Sequence, residues 1–411
     1  MATRRRVLQL GAAGAVAAAG IAWWRGAAAK DVIAPGFADL PAGAMATGEL
    51  ETIPGKVPLI KRTWRPPNYE TPIEYFAEEF TPNRAFFVRY HLANIPEVSA
   101  ASWSLNVGGP SAASPFTLSL DQLKRDFPAA EVAAVCQCSG NRRGLFQPHV
   151  TGVEWGVAAM GNARWKGARL KDVLAKAGMK PDAVEIVLDG ADGPVMPATP
   201  DFVKSIPVWK AIDENTLIAY EMNGEPLPHW NGFPARIVVP GWTGTYWMKH
   251  VTSIQAVPKA YDGFWMKSAY RIPKGRFPVI DRFLTQETDA NTPITEMVVN
   301  SLIVGISAGQ KIPMGQPLTV KGVAWDGGSG ISRVDVSTDG GRDWTEATLG
   351  PDRGRYSFRS FSLTVTPPAR GALTVMSRAS NRAGAAQTFE LIHNPAGYHH
   401  NVVQRIAVEV V

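Results

Sequence analysis

The most chemically loaded stretch of this 411-residue chain is Val135-Cys136-Gln137-Cys138-Ser139-Gly140-Asn141-Arg142-Arg143-Gly144, which holds both of its cysteines. The apolar run Val132 to Val135 reads as the end of a strand, and Ser139, Gly140 and Asn141 as the turn that follows it. A thiol at a strand end beside two arginines sits in a positive field that favours the thiolate. A soft thiolate in such a place is a metal ligand or a nucleophile; a packed structural thiol is the third reading. A disulfide between Cys136 and Cys138 is disfavoured, because residues two apart on a strand lie near the upper limit of bridging geometry. Their side chains point to one face of the strand.

No His and Asn pair stands out as a nucleophile's helpers, and no second Cys pair or His cluster offers a zinc site. A metal held by one thiolate needs most of its ligands from elsewhere, and a pterin dithiolene would provide them. Three further segments accompany the cysteine stretch. They are Thr81-Pro82-Asn83 with Phe86-Phe87-Val88-Arg89-Tyr90-His91-Leu92, the run Ala219-Tyr220-Glu221-Met222-Asn223-Gly224-Glu225-Pro226-Leu227-Pro228, and Gly232-Phe233-Pro234-Ala235-Arg236-Ile237-Val238-Val239-Pro240-Gly241. Together with Cys138-Ser139-Gly140-Asn141-Arg142-Arg143, these closely resemble the ordered motifs of the sulfite oxidase family of molybdopterin enzymes, from about Thr81 to the C-terminus.

The resemblance implies that Cys138 ligates molybdenum carried by a single pterin dithiolene. It places Arg89, Arg143 and Tyr270 in the substrate pocket, the last within Trp265-Met266-Lys267-Ser268-Ala269-Tyr270-Arg271. His91, Asp192, Arg236 and Lys249 fall where the family contacts the cofactor or shapes its pocket. The roles suit the chemistry: sulfite is a small dianion, and Arg offers a permanent charge with planar, multiple donors. The pterin phosphate needs cationic and backbone donors, a role for Arg236 and the turn Gly241-Trp242-Thr243-Gly244.

Two departures from the family pattern stand out. Asn231 occupies a cofactor-side position where the family pattern has a His, and Ala396, in Asn394-Pro395-Ala396-Gly397, stands where animal and plant members place an arginine that approaches the anion from the second domain. The implied activity is that of a sulfite dehydrogenase, oxidising sulfite to sulfate with water as the oxygen source. The sequence has no Cys-x-x-Cys-His attachment site and no cytochrome b5-like domain, so the expectation is no haem in this chain and single-electron transfer to an external c-type cytochrome. A molybdenum reductase acting on sulfoxides or nitrate is the alternative enzyme. An exported binding protein with a decayed metal site is the alternative of another class.

The elements that must position these residues are legible as two domains, as the length suggests. Residues 30–80 are aperiodic and punctuated by Pro54, Pro58, Pro66, Pro67 and Pro72, which predicts an extended segment wrapping the surface of a domain that runs to 296. Within 84–295, short apolar runs alternate with a few helical patterns, an α+β arrangement. Its clearest helix carries Leu170, Val173, Leu174 and Ala177 on one face and stops at Gly178. Over 297–411 the pattern changes to short strands: Val334 and Val336 alternate with Arg333 and Asp335, Phe361, Leu363 and Val365 alternate with Ser362 and Thr364, and Asp339-Gly340-Gly341 supplies a hairpin turn. This predicts an all-β immunoglobulin-like sandwich. By the family resemblance the first domain buries the pterin and the sandwich pairs two subunits into a homodimer.

Residues 1–29 read as a twin-arginine export signal: Arg4-Arg5-Arg6, an uncharged Ala/Gly-rich run from Leu10 to Trp24, then Ala27-Ala28-Ala29 as a cleavage site. That pathway carries folded proteins, which suits one loaded with a complex cofactor before export, and predicts a periplasmic location. No later segment could span a bilayer. Removing the leader takes away four arginines and no acid, so the formal charge falls from +6 to +2. The basic balance therefore carries no nucleic-acid inference, and no nucleic-acid motif is present.

Overall fold

The computed structural model describes residues 31–33, 47–275 and 289–411. The expected leader, 1–29, lies outside the described residues. Three sheets build the larger part of the molecule. One is a meander through Asp31–Ile33, Thr47–Glu51, Leu59–Thr63, Asn68–Glu70 and Val88–Arg89. The second is mixed, in the order Lys204–Pro207, Glu185–Gly190, Val251–Val257, Ser104–Gly108, Phe116–Ser119, and its Val251–Val257 strand runs parallel to Ser104–Gly108. The third joins Glu225–Pro226, Leu217–Met222, Met160–Arg169 and Ala129–Gln137, with Arg236–Val238 pairing to Leu217–Met222.

Helices are few and short. Leu170–Lys176 forms where the spacing predicts, burying Leu170, Val173 and Leu174. It ends before Gly178, whose φ of +64° is the left-handed conformation that glycine supplies at helix ends. The Pro-rich segment departs from the prediction. It is extended, but short strands form between its prolines and pair in succession, the last of them, Asn68–Glu70, with Val88–Arg89, so it positions Arg89 as well as covering the surface.

The C-terminal part is a sandwich of two antiparallel-rich sheets. One holds Asn300–Val304, Leu318–Trp325, Arg359–Val365 and Thr348–Leu349. The other holds Lys311–Ile312, Gln404–Val410, Gly371–Asn381, Ile331–Ser337 and Thr345–Glu346. Val334 and Val336 are buried and Arg333 is exposed, as strand alternation requires. The Asp339 carboxylate accepts from the main-chain N–H of Arg342 and Asp343, which closes the turn between Ile331–Ser337 and Thr345–Glu346.

The two parts share a core. Phe76, Val135, Leu145 and Met160 pack with Leu302, Val323, Trp325 and Phe358. Polar contacts cross the same seam: the Trp325 indole donates to Gln137 Oε1 at 2.7 Å, and Val135 N donates to Tyr356 O at 2.9 Å. The strand that delivers the cysteines is thus clamped from both sides.

Candidate active site

Ala129–Gln137 pairs with Met160–Arg169 along its whole length, which fixes where the strand ends and where Cys138 emerges. Cys138 N then donates to Ala159 O at 2.9 Å, and Asn141 Oδ1 accepts from Ala159 N at 3.0 Å, pinning the turn. Both thiols are buried and unbridged. Both line one cleft, where Cys136 also packs in the surrounding apolar core. Burial pushes the Cys136 thiol up to about 11 against the pull of the Arg236 guanidinium.

Of the two consecutive arginines only one faces the thiol. Arg142 takes the left-handed conformation, φ +70°, and its guanidinium donates to Ser301 O at 2.8 Å and Val402 O at 3.3 Å in the sandwich. Arg143 turns the other way and lines a second cavity beside Cys138. Its Nε donates to Ala396 O at 3.0 Å, its Nη1 to Val153 O at 3.2 Å, and its guanidinium lies 5.3 Å from the Tyr398 ring centre. Glycines make room for it: a Cβ at Gly140 would overlap the guanidinium, and one at Gly152 would come within 3.0 Å of it.

The second cation at the thiol is Arg89, carried by Val88–Arg89. Its Nη1 donates to Asn68 Oδ1 at 3.2 Å and to Tyr90 O, and its Nη2 donates to the Tyr270 hydroxyl at 3.3 Å. Burial works against its charge, yet the Tyr270 hydroxyl and the Cys138 thiol hold its pKa above the ordinary guanidinium value. Tyr270 sits in the left-handed region, φ +58°, strain that is concentrated at functional sites. Its hydroxyl pairs with His91 Nε2 at 2.5 Å, and its ring stacks on Tyr398 at 5.8 Å. Burial first, then Arg89, keeps His91 well below the usual imidazole range and hence neutral. His91 stacks on Phe202 at 3.5 Å.

The cleft on the other side of Cys138 collects Asp192, Asn231, Arg236 and Lys249. Arg236 is buried with its guanidinium over the Trp165 and Trp247 rings, at 5.1 and 5.7 Å, and donates to Asn231 O and Trp247 O. Lys249 donates to Arg89 O at 2.5 Å, and burial brings its pKa down to about 7 against the attraction of Asp192. Burial raises Asp192 in turn, against the pull of Lys249. Asn231 lines the cleft, but its amide is committed: Oδ1 accepts from Lys56 Nζ at 2.6 Å and Nδ2 donates to Phe87 O at 3.1 Å. Of the expected turn Gly241 to Gly244 only the end reaches the cleft, where Gly244 and Thr245 line it.

Eight of the nine residues expected from sequence line this one cleft, and Arg143 lines the adjoining cavity. Sequence reasoning missed Lys56, Ser139 as a lining residue, Phe202, Thr245 and Trp247. Ser139 alone carried a signal, its place beside Cys138. The cleft fits a phosphate-bearing pterin that brings a soft metal. Arg236 Nε and Thr245 Oγ1 are buried donors with no partner among the described residues, Gly244 lets the main chain approach where a Cβ would stand 3.3 Å from Cys136 Sγ, and Cys138 supplies the soft ligand. Among the described residues no group of three or more His, Cys, Asp or Glu side chains could hold a metal, so a metal at Cys138 would take its remaining ligands from the cofactor.

A buried thiol between a phosphate-binding cleft and a cationic cavity, in a chain that ends in a β-sandwich, defines a class. Residues 91–265 match the oxidoreductase molybdopterin binding domain and residues 291–411 match the Mo-co oxidoreductase dimerisation domain. The chain belongs to the sulfite oxidase family of molybdopterin oxidoreductases. It is 36% identical to the mitochondrial sulfite oxidase of Homo sapiens over 87% of this chain and 67% of that one. It is 37% identical to that of Macaca fascicularis over 77% of this chain, and spans 59% of that relative's length. Among solved structures it resembles the sulfane dehydrogenase SoxCD from Paracoccus pantotrophus, with a TM-score of 0.72 and 26% identity over 87% of this chain and 90% of that one.

Proposed function

We propose that the chain is a periplasmic sulfite dehydrogenase that oxidises sulfite to sulfate and passes electrons singly to an external c-type cytochrome. The observation that carries the reading is the convergence of Arg89, Arg143 and Tyr270 on the cavity that opens at Cys138. Cys138 would hold the molybdenum, with Arg236, Lys249, Thr245 and Asp192 around the pterin, and His91 and Asn231 shaping the cleft. When bound, the cofactor supplies two-electron redox chemistry and a route for oxygen from water to substrate.

This chain's residues bind, orient and shield. Among the described residues Arg89 and Arg143 have no carboxylate as a hydrogen-bond partner, so their charge stays available to a dianion. The Tyr270 hydroxyl, set between Arg89 and neutral His91, can donate to a substrate oxygen and be restored through His91. The wall of buried aromatic side chains lowers the local dielectric, which strengthens each contact.

Sulfite as substrate is supported by the identity to sulfite oxidases, the periplasm by the arginine-rich leader, and pairing into a homodimer by the match to the dimerisation domain. Catalytic residues 30–296, a sandwich of 297–411 and removal of 1–29 complete the proposal. Among the described residues no helix is long and apolar enough to cross a membrane. The test is sulfite-dependent reduction of cytochrome c by purified protein whose molybdenum content has been measured. Turnover in proportion to molybdenum is expected; loaded protein without turnover would sink the substrate assignment. For the location, Arg4→Lys with Arg5→Lys should leave folded, loaded protein in the cytoplasm, and normal export of that variant would mean another pathway reads the leader.

A further inference from the structure

The cavity on the substrate side of Cys138 has a volume of about 530 Å³. That lies within the roughly 300–1,000 Å³ typical of pockets that enclose whole organic molecules. A four-atom anion seated on Arg89 and Arg143 would leave most of it empty. Phe264, Trp265, Ala269, Pro395 and Ala396 give the wall an apolar face beside the neutral polar side chains of Thr63, Thr151 and Ser268, and no lining residue carries a carboxylate. Ala396 brings only a methyl group to a wall whose neighbouring Arg143 it already holds through its carbonyl oxygen. The cavity and the cofactor cleft share Arg89, His91, Cys138 and Tyr270, so a molecule filling the outer part still presents its head group at the thiol.

From this pairing of a cationic floor with a roomy, carboxylate-free mouth that carries an apolar face, we propose that the site also oxidises organic sulfinates, RSO₂⁻, to sulfonates, RSO₃⁻. The inference rests on the sulfite reading and extends its substrate class. A sulfinate has the same pyramidal sulfur with a lone pair as sulfite, with one oxygen replaced by carbon. The balanced step is RSO₂⁻ + H₂O → RSO₃⁻ + 2H⁺ + 2e⁻. One S–O bond forms, the two O–H bonds of water break, and the sulfur loses two electrons to two equivalents of a one-electron acceptor such as ferricyanide or a c-type cytochrome. Arg89 and Arg143 hold the two sulfinate oxygens, and the substituent R lies against Phe264, Trp265 and Ala396.

The test uses molybdenum-loaded full-length protein with ferricyanide as acceptor and sulfite, methanesulfinate and benzenesulfinate as substrates. Sulfonate formation from both sulfinates, with kcat/KM within about a hundredfold of that for sulfite, is expected. Thr151→Trp, at an exposed position of the cavity wall, should lower kcat/KM for benzenesulfinate at least about tenfold relative to methanesulfinate by narrowing the mouth. A readout without turnover is calorimetric binding of the product benzenesulfonate, expected in the wild type and lost in Arg89→Gln. Turnover of sulfite with neither sulfinate accepted would overturn the inference and leave the sulfite reading standing. Turnover of none of the three by loaded protein would overturn both. Equal handling of the two sulfinates by wild type and Thr151→Trp would show that the cavity does not hold the substituent.

Discussion

Two arginines of one sheet, Arg62 buried on Leu59–Thr63 and Arg89 half-buried on Val88–Arg89, meet opposite fates across the Asn68–Glu70 strand that separates them. Arg62 is locked to Glu70 at 2.5 Å with both side chains almost wholly buried, and its charge is neutralised within the sheet. Arg89, on the strand that pairs with Asn68–Glu70, meets an amide, a main-chain carbonyl and a phenol, and keeps a buried Nε without a partner among the described residues. Arg143 is likewise held by carbonyls. Burying a cation without a counter-ion is costly, and dipoles that orient it without cancelling it leave the remaining attraction for an anionic ligand. The ion pair serves the fold; the arginines at Cys138 serve the site.

The largest effect expected is from Cys138→Ser, which should abolish turnover while leaving circular dichroism and cooperative unfolding intact, because a hydroxyl replaces a soft thiolate poorly. Cys136→Ser should be much milder in steady-state assay. The reverse ranking would mean the metal ligand is Cys136.

Breaking the fold-serving pair should act on stability alone. Glu70→Gln removes the carboxylate that neutralises the buried Arg62, an expected loss of about 3–5 kcal/mol in denaturant unfolding, with kcat/KM per folded molecule unchanged. A normal unfolding midpoint would show that the pair does not carry the stability assigned to it.

A smaller effect comes from the cofactor-side lysine. In cofactor-free protein the folded-state pKa of Lys249 is about 7 against an ordinary 10.5, so between those values the unfolded chain binds more protons. Stability should therefore rise with pH from about 7 towards 10.5 and be flat below, where both states are protonated. Lys56, also brought to about 7 by burial, adds to the same slope. Lys249→Met should flatten part of the rise; unfolding midpoints measured across that range that keep the full slope would contradict the assignment.

Much of this site could be read from sequence, because its residues sit in local motifs: Arg89 and His91 share one segment, Cys138 and Arg143 another. The sandwich was legible through strand alternation at Val334 and Val336, and the helix at 170–176 through its apolar face. What could not be read is what only tertiary structure decides. Arg142 and Arg143 are identical neighbours, and the left-handed backbone at Arg142 alone sends one guanidinium into the sandwich and the other to the thiol. Lys56 lies in a proline-rich run with no periodicity, and reaches Asn231 only because that run folds into a sheet. Tyr398 reaches Tyr270 from the other domain.

The most direct measurement is the sulfite KM of Arg89→Gln, read beside its molybdenum content and unfolding midpoint. Gln keeps a donor and loses the charge, and a lost charge-assisted hydrogen bond costs roughly 1.5–3 kcal/mol, so KM should rise about tenfold to a hundredfold with molybdenum retained. The midpoint should hold or increase, since a half-buried cation without a counter-ion among the described residues is removed. An unchanged KM accompanied by a large loss of stability would place Arg89 with Arg62, as a residue of the fold, and contradict its role at the anion.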